Sequence, residues 1–193
     1  MTALAILDLG YGNTESIRLA FARLGIEAGL VRDPVAAEAA DRLVLPGVGA
    51  AGYAMQRLSE AGLVDSLKRR TKPLLGICLG MQMLFDASDE GDTPLLGLIP
   101  GRVRALDPAP GLPVPHMGWT RIEQARGIGL ADGDHVYFAH SFACDHGPAT
   151  AARATYGRPI TAAIRQGHLW GAQFHPERSS APGAAFLGAF LNA

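Results

Sequence analysis

The sequence predicts an α/β fold, with a mostly parallel central sheet flanked by helices and an additional antiparallel β section. In the first half of the chain, short apolar strand patterns alternate with helical patterns, which is typical of a parallel sheet covered on both faces. In the second half, strand patterns follow one another through hairpin turns. The 193 residues contain no internal repeat and no linker. We therefore predict a single domain over residues 1–193.

Each predicted element has its own local signal. The strands of the first half are unbroken apolar runs, expected at residues 3–7, 43–45 and 72–77. The helices there have apolar positions three or four residues apart, expected at residues 16–24, 53–70 with a break near Gly62, and 79–85. The second half is expected to form strands at residues 103–106, 134–143, 151–156 and 160–174, the last with a turn at 165–168, and then a helix at 183–191.

Composition excludes several classes of protein. A 48% hydrophobic and 18% charged chain is globular rather than disordered. Its net charge of −1 offers no basic surface, so we expect no nucleic-acid partner and no membrane partner. The uncharged stretches at residues 43–56 and 179–193 are broken by Pro and Gly and are too short to span a bilayer. Two cysteines make no disulfide framework, and the first residues have no basic leader, so we expect a cytoplasmic protein.

The sharpest local motif is GICLG at residues 76–80, at the end of a predicted strand and before a helix. It is the thiol form of the nucleophile elbow, in which two glycines allow a sharp turn and the central side chain enters a cleft. The start of a helix favours the thiolate of Cys78. The alternative is an ordinary buried cysteine, which is the reading we give Cys144.

A second motif, FHPE at residues 174–177, follows another apolar strand about a hundred residues later. A catalytic cysteine needs a base, and the base needs a partner that fixes its tautomer. His175 and Glu177 fit these two roles, because residues i and i+2 of an extended segment lie on one side and Pro176 keeps the segment extended. The alternative is a surface turn.

The third motif is PGVG at residues 46–49, after a further apolar strand. Acyl transfer needs N–H donors directed at the developing oxyanion, and a glycine loop can direct its amides inward. We expect these donors at Gly49 or Val48 and at Leu79. Alone, the motif could be a flexible loop, but open parallel sheets bring the carboxyl ends of their strands to one edge. The three motifs together therefore predict an active site there.

These motifs resemble a known enzyme family. Residues 76–82 (GICLGMQ) and 173–177 (QFHPE) resemble the triad-type, class I glutamine amidotransferases. Four further segments narrow the resemblance to the glutaminase subunits of imidazole glycerol phosphate synthases, which act in histidine biosynthesis. They are residues 8–13 (DLGYGN), 46–50 (PGVGA), 116–119 (HMGW) and 137–142 (YFAHSF).

The resemblance implies a class I glutamine amidotransferase (flavodoxin-like) fold and a mechanism without a cofactor. Cys78 would attack the carboxamide of glutamine to form a γ-glutamyl thioester, His175 would shuttle protons, and Glu177 would orient His175. The backbone of Gly49, after a peptide flip, and that of Leu79 would form the oxyanion hole. The amino-acid end of glutamine would be held by Gly47, Gln82, Glu90 and the backbone of Ser141 and Phe142.

The resemblance also implies a heterodimer with a (β/α)₈-barrel cyclase, which would receive the ammonia and make imidazole glycerol phosphate and AICAR. Asn13, Trp119 and Tyr137 match positions that face this partner. We expect Trp119 in an exposed Gly-Trp turn between Pro-rich segments rather than in the core. Without a ligand at the acceptor site, such glutaminases have almost no glutaminase activity.

Three positions depart from the family pattern, and three alternative functions stay open. Leu9 replaces a usual Tyr, Thr120 a usual Asn, and Arg178 a usual Lys. The alternatives are a glutaminase subunit for another acceptor synthase, a free-standing γ-glutamyl cysteine hydrolase, and a binding module without catalysis. We expect no metal, since no spacing typical of metal ligands links His135, His140, His146 and His168.

Overall fold

A computed structural model describes residues 3–10 and 12–193, so Tyr11 of the amino-terminal motif lies outside the described residues. The strands, in chain order, are β1 (Leu4–Leu7), β2 (Ala28–Val31), β3 (Arg42–Leu45), β4 (Leu74–Ile77), β5 (Ala87–Ser88), β6 (Thr93–Pro94), β7 (Arg102–Ala105), β8 (His116–Arg121), β9 (His135–His140), β10 (Phe142–Cys144), β11 (Thr150–Tyr156), β12 (Arg158–Gln166) and β13 (Leu169–Ala172). The α-helices are α1 (Thr14–Arg23), α2 (Pro34–Ala39), α3 (Ala51–Glu60), α4 (Leu63–Arg69), α5 (Leu79–Gln82) and α6 (Ser180–Leu191). Within these ranges, no helix combines the length and the apolar character needed to cross a membrane.

The central sheet is large and mostly parallel, as predicted. Its strand order is β11-β12-β13-β4-β3-β1-β2. The five strands from β13 to β2 pair in parallel, and β12 and β11 continue the sheet in antiparallel pairing. The apolar runs identified in the sequence form its interior, because all four residues of β1 and of β4 are buried.

The core lies in two layers, one on each face of this sheet. Alternate residues of β1 point to opposite faces, so that Leu4 and Ile6 belong to one layer and Leu7 to the other. The first layer includes aromatic residues of α1 and α6, such as Phe186. The second includes apolar residues of α3 and α4, such as Leu58.

An additional antiparallel section lies beside the main sheet, also as predicted. It consists of a small sheet in the order β10-β7-β5-β6 and a ribbon of β8 and β9, and all its pairs are antiparallel except β5 with β7, which is parallel. The prediction of a Gly-Trp turn at Trp119 is wrong, because residues 116–119 form the first part of β8. Its side chains alternate, so that His116 is buried while Met117 and Trp119 are 64% and 51% exposed. Trp119 therefore lies outside the core, as expected.

The sequence pattern did not predict β2 or α2, and it predicted a longer helix at α5 than the structure has. β2 is a four-residue, half-exposed edge strand, and α2 has six residues after its Asp33 cap, so neither shows a clear period. The helix expected at residues 79–85 ends at Gln82. Beyond it, the carbonyls of Met83 and Leu84 accept hydrogen bonds from the loop that follows. The break expected near Gly62 is confirmed, because Gly62 has a φ of +68° between α3 and α4.

Truncating Phe186 tests the first core layer. Phe186 is fully buried and packs edge-on against Phe174 and Trp170 at 5.3 and 6.1 Å. We expect Phe186→Ala to lower the free energy of unfolding by about 3–5 kcal/mol, since it leaves a cavity in a close-packed layer. Urea unfolding followed by circular dichroism measures the change. The half-exposed Leu19 supplies the control, because Leu19→Ala should cost no more than about 0.5 kcal/mol.

Candidate active site

The three sequence motifs meet at one edge of the central sheet. β4 lies between β3 and β13, and the three strands run parallel. The PGVG loop follows β3, Cys78 follows β4, and His175 comes three residues after the end of β13. Their carboxyl ends therefore bring together residues that are far apart in the chain, as predicted.

Cys78 occupies a strained elbow that depends on its two flanking glycines. Its φ of +53° is rare for a residue with a side chain. A Cβ on Gly76 would collide with the carbonyl group of Gly80, and a Cβ on Gly80 would collide with the carbonyl oxygen of Leu45. Only glycine fits at both places, so the sequence signature of the elbow is confirmed by its packing.

The sulfur of Cys78 lies in a buried, mildly polar environment. Its backbone N–H donates to the carbonyl of Ala172 at 2.7 Å, which ties the elbow to β13. The Sγ atom lies 3.8 Å from the carbonyl oxygen of Ala139 and 3.9 Å from Nε2 of Gln173. Cys144 is different, because complete burial raises the pKa of its thiol well above the usual value. It packs as a small apolar residue, as expected.

His175 and Glu177 form the predicted pair, although not by the expected geometry. Nδ1 of His175 lies 2.8 Å from Oε1 of Glu177, whose side chain is 1% exposed. His175 is extended, but residues 176–178 form a one-turn 3₁₀ helix. A turn rather than a continuous strand therefore brings the two side chains together. The carboxylate can only accept, so Nδ1 carries the proton and Nε2 is the atom left for Cys78.

The surroundings of His175 favour its charged form. Burial alone would lower its pKa, but hydrogen bonding and attraction to Cys78 and Glu177 outweigh burial and raise the pKa to about 10. The backbone of His175 is also fixed from outside its own sheet. Its N–H donates to the carbonyl of Tyr137 at 2.9 Å, and the hydroxyl of Ser179 donates to its carbonyl at 2.7 Å.

A cavity of about 390 Å³ opens over the elbow, within the range of small-molecule sites. It brings together most of the residues predicted for the site, namely Asn13, Gly49, Cys78, Leu79, Gln82, Glu90, Ser141, Phe142, His175 and Glu177. Gly47 does not line it. It packs behind the elbow, where a Cβ would collide with the amide of Gly80 and the side chain of Leu79. Trp119 and Tyr137 lie beside the cavity, on the ribbon.

Comparison with known proteins agrees with this geometry. The family model for glutamine amidotransferase class-I matches residues 5–192. The chain belongs to this family. It is therefore a glutamine amidotransferase.

Individual relatives show to which branch of this family the chain belongs. The chain is 50% identical to imidazole glycerol phosphate synthase subunit HisH of Xylella fastidiosa (strain Temecula1), covering 99% of this chain and 98% of the relative. It is 47% identical to the HisH subunit of Xanthomonas axonopodis pv. citri, with the same coverage. A solved glutamine amidotransferase has the same fold, with a TM-score of 0.78, 23% identity and coverage of 97% and 99%. The amidotransferase thus lies in the HisH branch of its family.

The amides predicted for the oxyanion hole of this amidotransferase are available. The backbone N–H groups of Val48, Gly49 and Leu79 donate to no other described residue, and all three residues line the cavity. Gly49 has a φ of +87°. Among the described residues, no group of three or more His, Cys, Asp and Glu side chains is arranged to hold a metal ion.

Two of the predicted substrate residues already make contacts inside the protein. Nε2 of Gln82 donates to the carbonyl of Phe142 at 2.9 Å and to Oε1 of Gln173 at 3.0 Å. Oε2 of Glu90 accepts from the N–H of Ala51 at 2.7 Å, at the start of α3. Glu90 therefore connects the cavity to the helix that follows the PGVG loop.

The positions that depart from the family pattern have different surroundings. Leu9 is buried in the second core layer. The guanidinium of Arg178 lies 4.4 Å from the ring centroid of Tyr137, which contacts Trp119 edge-on at 6.1 Å. A planar guanidinium stacks on a ring in a way that an ammonium group does not. The third departure, Thr120, lies on β8 and contacts His116.

Sequence reasoning missed Gln173 and His140. Gln173 is fully buried and reaches both Gln82 and Cys78. The sequence signal that could have identified Gln173 is its position inside the QFHPE motif. His140 lines the cavity and is hydrogen-bonded to His116 across the ribbon. Only the pairing of β8 with β9 reveals that contact.

The raised pKa of His175 predicts a pH-dependent stability. The unfolded chain titrates this histidine near 6.5 and the folded chain near 10, so its stabilising contribution is complete below pH 6.5 and is lost as the pH rises to 10. His175→Asn keeps a donor for Glu177 and does not titrate. We expect the difference in unfolding free energy between wild type and this variant to shrink between pH 6.5 and 10. A constant difference in urea titrations would contradict the assignment.

Enlarging Gly80 tests the elbow. In Gly80→Ala, the new Cβ meets the backbone carbonyl of Leu45, which cannot move away cheaply. We expect a loss of about 1–3 kcal/mol in unfolding free energy, together with a lower kcat as Cys78 shifts. Gly188→Ala is the matched control, because Gly188 lies in α6 with nothing within 4 Å of its added Cβ. That variant should be neutral or slightly more stable, since alanine favours a helix over glycine.

Proposed function

We propose that the chain is the glutaminase subunit of an imidazole glycerol phosphate synthase in histidine biosynthesis, acting in the cytoplasm on glutamine. The observation that carries this proposal is the buried Cys78–His175–Glu177 set in a chain about half identical to HisH subunits over its full length. The intact set argues against a binding module, because a chain that had lost catalysis would be expected to lack one of the three groups.

The first half-reaction releases ammonia. His175 is charged before the reaction, so Nε2 already holds the proton given up by Cys78, and the sulfur forms a bond to the carboxamide carbon of glutamine. The carbon–nitrogen bond then breaks, and the imidazolium returns the proton to the departing nitrogen, which leaves as ammonia. Glu177 stabilises the charged ring throughout, in a site where it is fully shielded from solvent.

The second half-reaction regenerates the enzyme. His175 takes a proton from water, the hydroxide adds to the thioester, and the carbon–sulfur bond breaks to give glutamate. In both steps the negative charge on the substrate oxygen needs two donors. The N–H groups of Leu79 and Gly49, which donate to no described residue, support an oxyanion hole between them.

Glutamine binding is assigned to the residues around the elbow. Gln82, Glu90 and the backbone of Ser141 and Phe142 line the cavity, and the carboxylate of Glu90 suits the substrate ammonium. Gly47 contributes by letting the PGVG loop lie against the elbow. No step in this chemistry requires a cofactor.

The ammonia passes to a (β/α)₈-barrel cyclase that docks on the ribbon side of the cavity and completes a lyase reaction. The exposure of Met117 and Trp119 on β8 supports a partner there, because adjacent large apolar side chains are seldom left open to water. Asn13 and Tyr137 complete the proposed contact face. Asn13 lines the cavity and caps α1, and Tyr137 lies between Trp119 and Arg178.

Replacing the two cysteines in turn tests the mechanism. We expect Cys78→Ala to abolish glutamate release while glutamine still binds, measured by calorimetry. Cys144→Ala should keep turnover, because Cys144 is buried in the second core layer. Turnover that survives in Cys78→Ala would overturn the mechanism.

The partner is tested by measuring glutamate release from the chain alone and then with a barrel cyclase and its nucleotide ligand. Little release alone and a large rise in the complex is the expected result. High release alone, unchanged by the cyclase, would instead favour a free-standing hydrolase. No release in either case would point to another acceptor synthase or to a binding module.

A further inference from the structure

A row of hydrogen bonds that the mechanism does not use runs from the ribbon to the cavity. His116 and His140 lie directly opposite each other in β8 and β9, and both are buried. Nδ1 of His116 lies 3.0 Å from Nε2 of His140, and Nε2 of His116 lies 2.8 Å from Oγ1 of Thr120. At the other end, Nδ1 of His140 lies 2.8 Å from the carbonyl oxygen of Phe142.

These contacts fix one tautomer for each ring when both are neutral. The carbonyl of Phe142 can only accept, so Nδ1 of His140 carries a hydrogen and its Nε2 accepts. Nδ1 of His116 must therefore donate to it, which leaves Nε2 of His116 to accept from the hydroxyl of Thr120. Every donor in the row then points from Thr120 toward the cavity.

The surroundings of the two rings keep them neutral. Burial lowers the pKa of each to about 4. For His140, the hydrogen bond to Phe142 works against this shift, while repulsion from His116, His175 and Arg158 adds to it. The ring of His116 is also stacked on Tyr156 with centroids 3.9 Å apart. This stacking fixes the plane of the His116 ring, with its two nitrogens facing His140 and Thr120.

The row ends on groups that face the substrate. The carbonyl of Phe142 accepts a second hydrogen bond from Gln82, at 2.9 Å, so that His140 and Gln82 together fix its position. Ser141 and Phe142 line the cavity. Gln82 also reaches Gln173, whose amide nitrogen lies 3.9 Å from the sulfur of Cys78.

We propose that His116 and His140 are positioning residues for glutamine hydrolysis. As neutral rings with hydrogen on Nδ1, they hold the Phe142 carbonyl so that the Ser141–Phe142 backbone meets the amino-acid end of glutamine in one orientation. The carbonyl of Phe142 selects these tautomers, and the hydroxyl of Thr120, on the strand that also carries Trp119, donates to the other end of the row. The inference rests on the proposed function, because glutamine is the substrate assigned there.

Two substitutions at His140 separate positioning from packing. The side-chain amide of His140→Asn can place a donor where Nδ1 lies, and His140→Leu cannot. The kinetics are measured in the complex with the cyclase and its ligand. We expect His140→Leu to raise the KM for glutamine about two- to tenfold, which corresponds to the loss of one hydrogen bond, and to change kcat less. His140→Asn should recover most of the loss. Equal KM values in the two variants would overturn the inference.

Calorimetric titration of glutamine into the same variants, each carrying Cys78→Ala, repeats the comparison without turnover. Weaker binding in His140→Leu than in His140→Asn supports the inference. Equal affinities contradict it. Failure of the proposed function would look different, because adding the cyclase and its ligand would then cause no rise in glutamate release by the wild type.

The tautomers are read directly by nitrogen NMR of the ¹⁵N-labelled full chain at neutral pH. We expect both rings to show a protonated Nδ1 and an unprotonated Nε2. His140→Leu removes the acceptor that fixes Nδ1 of His116 as a donor and should give His116 a mixture of tautomers. Thr120→Val removes only the hydroxyl at the far end of the row, at nearly constant volume, and should leave both tautomers unchanged. Charged rings, or hydrogen on Nε2 of either ring, would refute the assignment.

Discussion

The backbone of Gly80 lies against the carbonyl oxygen of Leu45 at a separation that leaves no room for a side chain. This approach brings the start of α5 onto the end of β3, and Gly47 permits the same closeness from the other side. Two neighbouring loops thus line one cavity, with Gly49 on the first and Cys78 on the second. Cys78 accepts an unfavourable φ as a result, and the surrounding strands hold it there because they are buried on both faces.

The histidines in and behind the cavity have opposite electrostatic surroundings. His175 lies beside two groups that are anionic when ionised, and its pKa rises to about 10. His116 and His140 lie beside each other and beside neutral acceptors, and their pKa values fall to about 4. Burial disfavours the charged form of all three, so the neighbouring charges decide which ring is protonated. His175 and His140 both line the cavity and thus differ in charge, and His116 adds a second neutral ring behind His140.

Much of the fold and site follows from the sequence, because apolar runs, glycine placement and strand ends are local signals. The parallel order around β4 and the meeting of Cys78 with His175 were predictable for this reason. β8 was not, because Gly118 interrupts its pattern. The contact of His116 with His140 was not predictable either, since it depends on the register between two strands. The His175–Glu177 pair was predicted from an extended segment, whereas a single turn creates it.

Cys78 and His175 are hydrogen-bonded to different parts of the molecule. The N–H of Cys78 bonds to Ala172 in the central sheet, whereas the N–H of His175 bonds to Tyr137 in the ribbon. The separation of the sulfur from the imidazole therefore depends on where the ribbon lies relative to the central sheet. A change in the position of the ribbon would move the backbone of His175 without breaking the hydrogen bond that holds Cys78.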